Sequence, residues 1–249
     1  MAASETKPGA NDFIRFADRD SDHPLIEKVW SCRSERADTF LSVAAVNFEM
    51  VITCLAGRRS ITLRGPETKA TSMDCPAEGE WLGIRFRPGT LVPQFLPGAL
   101  RDHRDVTLPE ASGRSFWMDG SAIEYPAFEQ AEAFVARLAA RGLLRRDQVA
   151  VDALLRRPRE LSLRTAQRRF LRSTGVTYAA FRQIERARNA TNLLREGAAI
   201  LDVVSQLGYF DQSHLHRSLR RFIGETPARI VERRKQLSFL YKTGEAGRT

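Results

Sequence analysis

The chain has 249 residues, of which 43% are hydrophobic and 28% charged, and its formal net charge at pH 7 is +9. This balance is typical of a folded protein with one or two apolar cores, and it excludes a wholly disordered chain. No stretch approaches the roughly 18 uncharged apolar residues that a transmembrane helix requires. Because the first residues are polar and carry no secretory signal pattern, we expect a cytoplasmic protein that makes no contact with a membrane.

The charge is divided unevenly along the chain. Residues 1–140 carry 16 Lys and Arg against 20 Asp and Glu, whereas residues 141–249 carry 23 against 10. This asymmetry predicts two modules, of which the second meets a polyanion. Arginine supplies 21 of those 23 cations, and its planar fork suits phosphate groups and guanine edges. A codon preference for arginine would explain the choice of cation, but not its concentration in one half.

The front half is predicted to contain a small antiparallel sheet or barrel. Residues 1–37 are predicted to be an irregular lead-in. Short apolar runs of strand length follow, separated by Gly and Pro, at residues 40–46, 48–57, 60–63 and 80–86. Several short strands at regular spacing, with no helical period between them, favour a small antiparallel sheet or barrel.

Two helices are predicted after this sheet, over residues 127–138 and 147–155. The segment before them contains several prolines, which break longer elements. We place the boundary between the modules near Gly142, so that residues 1–141 form a first domain and residues 142–249 a second. The predicted fold class is therefore an α+β domain followed by an all-α domain.

The second domain contains an internal repeat at an offset of 49 residues. The aligned segments are residues 161–184 and 210–233. Each copy has a polar cap, a basic helix, a glycine stop and a second cap. Ser162 and Asp211 suit the N-cap because their side chains accept hydrogen bonds from free backbone N–H groups. Gly175 and Gly224 suit the left-handed residue that ends a helix.

The second copy has the pattern of a helix-turn-helix unit. A short amphipathic helix at residues 200–207 ends at Gly208, and a new helix starts after Asp211. Two short helices joined by a tight turn with glycine are typical of this unit. The exposed face of the second helix carries side chains that suit base edges: Gln212, Ser213, His216 and Arg217. Arg220 and Arg221, further along, are better placed for phosphate.

The first copy repeats this pattern less completely. Its basic helix carries Arg164, Gln167 and Arg168 on the face opposite to Phe170. The segment before it contains Pro158, which breaks a helix, and no glycine marks the turn. We therefore interpret the first unit as degenerate. If the first unit does not dock on DNA, the stretch of DNA that each bound chain protects should span about one half-site.

Together these motifs resemble the AraC/XylS-type transcription regulators. The resemblance covers about residues 147–232 and is most specific over residues 200–227, which run from an apolar helix through Gly-Tyr and Asp-Gln-Ser to Gly-x-Thr-Pro. It implies two helix-turn-helix units, joined by a long helix, that insert into successive major grooves. The family pattern implies base contacts from Arg164, Gln167, Arg168, Gln212, Ser213, His216 and Arg217. We assign phosphate contacts to Arg172, Arg220 and Arg221.

The front half resembles the cupin-type sensory domains that precede such DNA-binding domains. This similarity depends on the strand spacing and on the IRFRPG run at residues 84–89. It implies that the domain binds an effector or dimerises, although no motif assigns the effector-binding residues. The expected partners are double-stranded promoter or operator DNA, a small-molecule effector, RNA polymerase if the protein is an activator, and a second copy in a homodimer.

The sequence agrees less well with an enzyme than with a DNA-binding regulator. A metal-dependent cupin enzyme needs closely spaced His and carboxylate ligands, and His23 and His103 do not have that spacing. The sequence has no nucleophile elbow, phosphate-binding loop or dinucleotide motif. We therefore predict no enzymatic activity, no metal and no cofactor. The cysteines are predicted to be reduced packing residues rather than redox sensors: Cys32, Cys54 and Cys75.

A different class of function is a structural protein that binds any duplex through its charge. A basic surface alone would agree with this alternative equally well. Gln212 and Ser213 at the start of the second basic helix argue against it, because neutral groups add little to phosphate attraction. The predicted function is therefore sequence-specific regulation of transcription.

Overall fold

Antiparallel sheets make up the front half of the chain and helices make up the back half, in agreement with the predicted fold class. The structure is a computed structural model that describes residues 4–5, 13–147 and 162–232. Pro158 and all but the first residue of the helix predicted at 147–155 lie outside the described residues.

Seven of the strands form one antiparallel sheet. The strands are, in chain order, β1 (Ser4–Glu5), β2 (Ile14–Asp20), β3 (Ile26–Ser34), β4 (Asp38–Ser42), β5 (Glu49–Leu55), β6 (Arg58–Arg64), β7 (Thr71–Cys75), β8 (Glu80–Phe86), β9 (Thr90–Leu91), β10 (Val106–Leu108), β11 (Glu110–Ser112), β12 (Ser115–Met118), β13 (Ser121–Glu124) and β14 (Arg145–Arg146). The order in the main sheet is β1-β2-β3-β8-β5-β6-β10, and β4 pairs separately with β7. The runs predicted at 48–57, 60–63 and 80–86 are thus confirmed as β5, β6 and β8.

The prediction of an irregular lead-in was wrong for residues 14–34, which form β2 and β3. The sequence of these strands lacks a clear apolar alternation, because some of the positions that are buried in the structure carry charged residues. The Lys28 side chain is only 7% exposed, and its Nζ donates a 2.5 Å hydrogen bond to Oδ2 of Asp18. A buried charge is tolerated when it is paired and hydrogen-bonded. The paired charges therefore mask a strand that apolar periodicity would otherwise reveal.

The apolar run at residues 40–46 is a strand only as far as Ser42. Its remaining apolar side chains leave the β4–β7 pair and pack into the core of the helical half, where Val43, Ala44 and Val46 are all buried. The prediction of one continuous strand was therefore wrong. The segment carries apolar residues for two different cores, which a count of apolar residues does not distinguish.

One helix, α1 (Ala131–Ala140), packs against the face of the main sheet. It follows a 3-10 turn at Phe128–Gln130, so the helix predicted at 127–138 is confirmed with a small shift. Phe134 is fully buried with Met50 and Ile84 of the sheet. Outside the apolar contact, Arg19 of β2 binds both carboxylate oxygens of Glu132 at 2.5 and 2.8 Å.

Five helices follow in the described part of the back half: α2 (Leu163–Thr174), α3 (Tyr178–Glu196), α4 (Ile200–Gln206), α5 (Gln212–Phe222) and α6 (Pro227–Glu232). The predicted caps are present. Ser162 Oγ accepts from the N–H of Thr165, and Asp211 Oδ1 accepts from the N–H of His214 at 2.6 Å. Gly175 ends α2 with a φ of +75°, which a residue with a side chain adopts only with strain. Among the described helices, none combines the length and the apolar character that a membrane crossing needs.

The back half has its own core around the long helix α3. Ile184 and Leu194 of α3 are fully buried together with Leu215 and Leu219 of α5. Leu143 and Leu144 pack instead into the core of the front half, and β14 pairs with β9 there. The domain boundary near Gly142 stays a prediction.

The two halves contact each other at the C-terminal ends of both basic helices. The N–H groups of Ala44 and Ala70 donate to the carbonyls of Phe222 and Arg221 at 2.8 and 2.9 Å. At the end of α2, a Cβ added to Gly175 would lie 2.7 Å from the backbone nitrogen of Gly98. The front half is therefore in direct backbone contact with α2 and α5.

We predict that Glu132→Gln destabilises the protein at pH 7 and does so much less at pH 2.5. Hydrogen bonds from Arg19 lower the pKa of Glu132 from 4.5 to about 2. Since the folded pKa is below the unfolded one, the stabilisation is complete above about pH 4.5 and is lost as the pH falls towards 2. Because part of the pair faces water, we expect a loss of about 1 kcal/mol at pH 7.

Urea unfolding of the wild type and the variant at both pH values measures this difference. Glu124→Gln, a change at an exposed carboxylate of the neighbouring β13, is the control and should alter stability little. A deficit of Glu132→Gln that is equally large at pH 2.5 would contradict the assignment to the ionised pair.

Candidate nucleic-acid interface and interdomain cavity

Helix α5 separates an apolar side from a polar side along its whole length. Leu215, Leu219 and Phe222 are buried against α3 and its neighbours. The predicted base-contacting residues of this helix are all exposed: Gln212, Ser213, His216 and Arg217. Arg220 and Arg221 are exposed in its last turn. The structure therefore brings the predicted residues of the second unit onto one surface.

The turn before α5 is held by contacts to the long helix α3. The guanidinium of Arg186 lies 4.4 Å from the centre of the Tyr209 ring, and its Nη1 donates to the carbonyl of Gly208 at 3.2 Å. The Tyr209 hydroxyl lies 3.2 Å from Oγ of Ser218. These contacts hold the turn in place, because they join it both to α3 and to α5. Sequence analysis did not identify Arg186, since nothing in its local spacing distinguishes it from the other arginines of α3.

Helix α2 places the predicted residues of the first unit in a similar way. Phe170 is buried and packs edge-on against the rings of Tyr178 and Phe181, at 5.5 and 5.7 Å. The residues predicted to contact bases or phosphates are exposed: Arg164, Gln167, Arg168 and Arg172. The helix that should precede α2 in a complete unit falls within residues that the structure does not describe.

The arginines of these two exposed faces have no acidic partner among the described residues. No carboxylate of the described residues lies within ion-pair distance of them: Arg164, Arg168, Arg172, Arg217, Arg220 and Arg221. A cationic surface without internal counter-charges attracts a polyanion such as the phosphate backbone of DNA.

A second feature is a cavity of about 320 Å³ in the front half. It lies between the main sheet and the β4–β7 pair. Its apolar walls are formed by Phe16, Trp30, Phe40, Met73 and Trp81. Two buried ion pairs lie at its floor: Lys28 with Asp18, and Arg85 with Glu49, each at 2.5 Å. The cavity therefore combines aromatic walls with a charged floor.

Two hydrogen-bond donors at this cavity have no acceptor among the described residues. They are Nε1 of Trp30 and Nε of Arg64, both buried. Arg64 Nε lies 3.5 Å from Asp105 Oδ2, without a hydrogen bond. Buried donors are nearly always paired, with protein or with a bound molecule. Burial also raises the pKa of Glu67, on the same wall, above its usual range.

The cavity is completed by a residue of the helical half. Arg188 of α3 is only 6% exposed and lines the cavity, while its Nη1 donates to Glu185 at 3.2 Å. Glu67, on the opposite wall, exchanges backbone hydrogen bonds with Ala45 at 2.8 and 3.0 Å. Ala44, the residue before Ala45, donates its N–H to the carbonyl of Phe222 of α5. A short chain of contacts therefore joins the cavity to the second basic helix.

The three cysteines are free. Cys32 and Cys75 line the cavity, and burial raises the pKa of Cys32 to about 12. This thiol is therefore protonated at neutral pH and is a weak nucleophile, as expected of a packing residue. The described residues contain no group of three or more His, Cys, Asp or Glu side chains that could hold a metal ion.

The chain is similar to known regulators over its helical half. A family model described as a helix-turn-helix domain matches residues 159–233. The HTH-type transcriptional regulator RipA of Corynebacterium glutamicum is 38% identical over 68 residues, which are 27% of this chain and 20% of that protein. RipA of Corynebacterium diphtheriae is 35% identical over 74 residues, 30% of this chain and 22% of that protein. The chain thus spans about a fifth of the length of these relatives.

A solved structure of ToxT from Vibrio cholerae also resembles the chain, with a TM-score of 0.39 and 11% identity over 87% of this chain and 98% of that one. A likeness this distant supports no conclusion about function. The family match, the capped basic helices and the glycine stops agree with one another over the same residues. Residues 159–233 are therefore a helix-turn-helix domain.

Proposed function

We propose that this chain is a cytoplasmic, sequence-specific regulator of transcription that binds double-stranded promoter or operator DNA and catalyses no reaction. The observation that best supports this proposal concerns the first turns of α5. Asp211 caps the helix there, and the side chains that follow expose amide, hydroxyl, imidazole and guanidinium groups. Such groups pair with base edges in the major groove, which is wide enough to admit a helix.

The two basic helices divide their contacts by position. Bases are contacted by Arg164, Gln167, Arg168, Gln212, Ser213, His216 and Arg217. Phosphates are contacted by Arg172, Arg220 and Arg221. Residues near the N-terminus of a recognition helix approach the base edges, and those further along reach the backbone on the groove wall. The exposure of all ten side chains agrees with these roles.

We also infer that the cavity of the front half binds a small-molecule effector. Two buried donors without a hydrogen-bond acceptor among the described residues, together with aromatic walls, favour a compact ligand with an apolar body and a hydrogen-bond acceptor. The ligand would touch Arg188 of the helical half as well as the sheet. It would therefore bind two relative positions of the halves differently, which is what regulation by a ligand requires.

Two protein partners complete the proposal. RNA polymerase is a partner where the regulator activates transcription, and the front half provides a surface for a homodimer. Both are inferences from the class of protein. The experiments below concern DNA and the effector, for which the described residues provide specific contacts.

Selection of binding sites from random duplex DNA tests the proposed function. At about 0.15 M salt with excess competitor, phosphate attraction alone is weak, so only base contacts enrich a motif. We expect one motif for the full chain. Its width shows how many units dock, because two units give half-sites one helical turn apart and a single unit gives one. Binding without any motif, with and without cell extract, would favour charge-driven binding to any duplex.

Arg217→Ala should cost about 1–3 kcal/mol on the selected site and relax the preference at one base pair. Arg221→Ala should weaken binding to all sequences alike and reduce the salt slope by about 1. Arg137→Ala is the matched control, because it removes an exposed arginine from α1, outside both basic helices. Titrations on selected and scrambled duplexes measure these effects. A selective loss in Arg221→Ala would contradict the division into base and phosphate contacts.

The effector proposal predicts a fluorescence change at the cavity. Trp30 and Trp81 line it, and Trp117 does not. In Trp117→Phe, a protein-free extract of small molecules should change the remaining tryptophan emission and also the affinity for selected DNA. Thr53→Phe, which places a larger side chain on the cavity wall, should suppress both changes but leave DNA binding without extract intact. A change in DNA affinity that persists in Thr53→Phe would place the effector elsewhere.

A further inference from the structure

The most exposed of the large apolar side chains in the described residues lies at the start of the second basic helix. Phe210 is 90% exposed, and the next most exposed, Leu201, is 67% exposed. Phe210 directly precedes Asp211, the N-cap residue of α5. A single exposed apolar side chain is common on protein surfaces, so the exposure of this ring gains meaning only from its position at the start of the helix.

The backbone that carries this ring is well fixed. The N–H of Phe210 donates to Nδ1 of His214 at 3.3 Å, and the next residue, Asp211, caps the helix. The residue before it, Tyr209, is buried and packs edge-on against the His214 ring at 5.2 Å. The ring of Phe210 is therefore presented from a fixed position and not from a loose loop.

The neighbours of Phe210 indicate what it meets. The exposed N-cap residue Asp211 is followed by the exposed side chains of Gln212 and Ser213, and Arg217 lies one turn further, with no carboxylate of the described residues within ion-pair distance. The exposed arginines of α5 attract the phosphates of DNA, and the N-terminal end of the helix then approaches the base edges. The one apolar group that the bases display in the major groove is the C5-methyl of thymine, which aromatic and aliphatic side chains contact.

We propose that Phe210 contacts the C5-methyl of one thymine and thereby determines specificity at that base pair. This inference depends on the proposed function, since it requires α5 to enter the major groove. The inference adds Phe210 to the residues proposed to contact bases. A search for hydrogen-bonding side chains does not identify this residue, because its ring has no donor or acceptor. The contact selects thymine over cytosine and over uracil at the same position, because only thymine carries the methyl group.

Uracil substitution tests the contact directly, because uracil lacks the methyl but keeps every hydrogen-bonding group of thymine. Each thymine of the selected site is replaced by uracil in turn, and the full chain is titrated on each duplex. We expect the wild type to lose about fourfold in affinity at one position, the factor that corresponds to burial of one methyl-sized group. Phe210→Ala should bind the thymine duplex about fourfold less tightly and should not distinguish it from the uracil duplex.

Two variants serve as controls. Phe210→Leu keeps an apolar side chain and should retain most of the preference for thymine. Leu201→Ala removes an exposed apolar side chain from α4 in the same unit and should leave the preference unchanged. Because both positions are exposed, thermal unfolding should show the same stability for all these proteins.

The contrary results are distinct from one another. If the wild type selects no motif, the proposed function fails and the inference fails with it, before any variant is made. If a motif is found but Phe210→Ala discriminates thymine from uracil as the wild type does, only the inference is wrong. If Phe210→Ala keeps the preference for thymine over uracil but loses transcription activation, the inference is also wrong. That result would indicate that the ring contacts a protein partner and not a base.

Discussion

Every α-helix leaves its last carbonyl groups without partners inside the helix, and here the front half of the chain provides partners for α5. The carbonyls of Arg221 and Phe222 accept hydrogen bonds from the backbone of Ala70 and Ala44. These two bonds hold the second basic helix against the β4–β7 pair and its flanking segments. They also explain why the apolar residues after Ser42 leave their strand, since their burial requires the helical half.

The same contacts place the cavity between the sheets of the front half and the helices of the back half. Its walls come from the main sheet and the β4–β7 pair, and Arg188 comes from the helix that joins the two basic units. Interiors are close-packed, so a change in the cavity is passed to its walls and not absorbed by empty space. The contacts of Glu67 with Ala45, and of Ala44 with Phe222, are the direct route from the cavity to α5.

The helical half was predictable from sequence because its information is local. Ser162, Asp211, Gly175 and Gly224 each determine a helix end through their own side chain or its absence, and the structure has all four in the predicted role. The exposed faces of α2 and α5 follow from the helical period for the same reason. The choice of bases remained unpredictable, because it depends on contacts with a molecule that the sequence does not encode.

The front half was predicted only in outline, because its decisive contacts join distant residues. The charged pair of Lys28 and Asp18 concealed β2 and β3, and no motif pointed to Trp30 or Arg64 at the cavity. The one local signal that was available is Gly83 in the middle of β8. A glycine inside a strand often marks a close approach by another group, and here the indole of Trp30 lies against it.

That glycine has a consequence for how ligand preference could change during evolution. A Cβ at position 83 would lie 2.0 Å from Cε2 of Trp30, so any larger residue would displace the indole from the strand. The ring would have to move into the space that it now lines. One codon in β8 therefore controls the size of the cavity without touching either basic helix. If the cavity binds the proposed effector, a substitution at this position changes which molecule fits and leaves the residues proposed to contact DNA as they are.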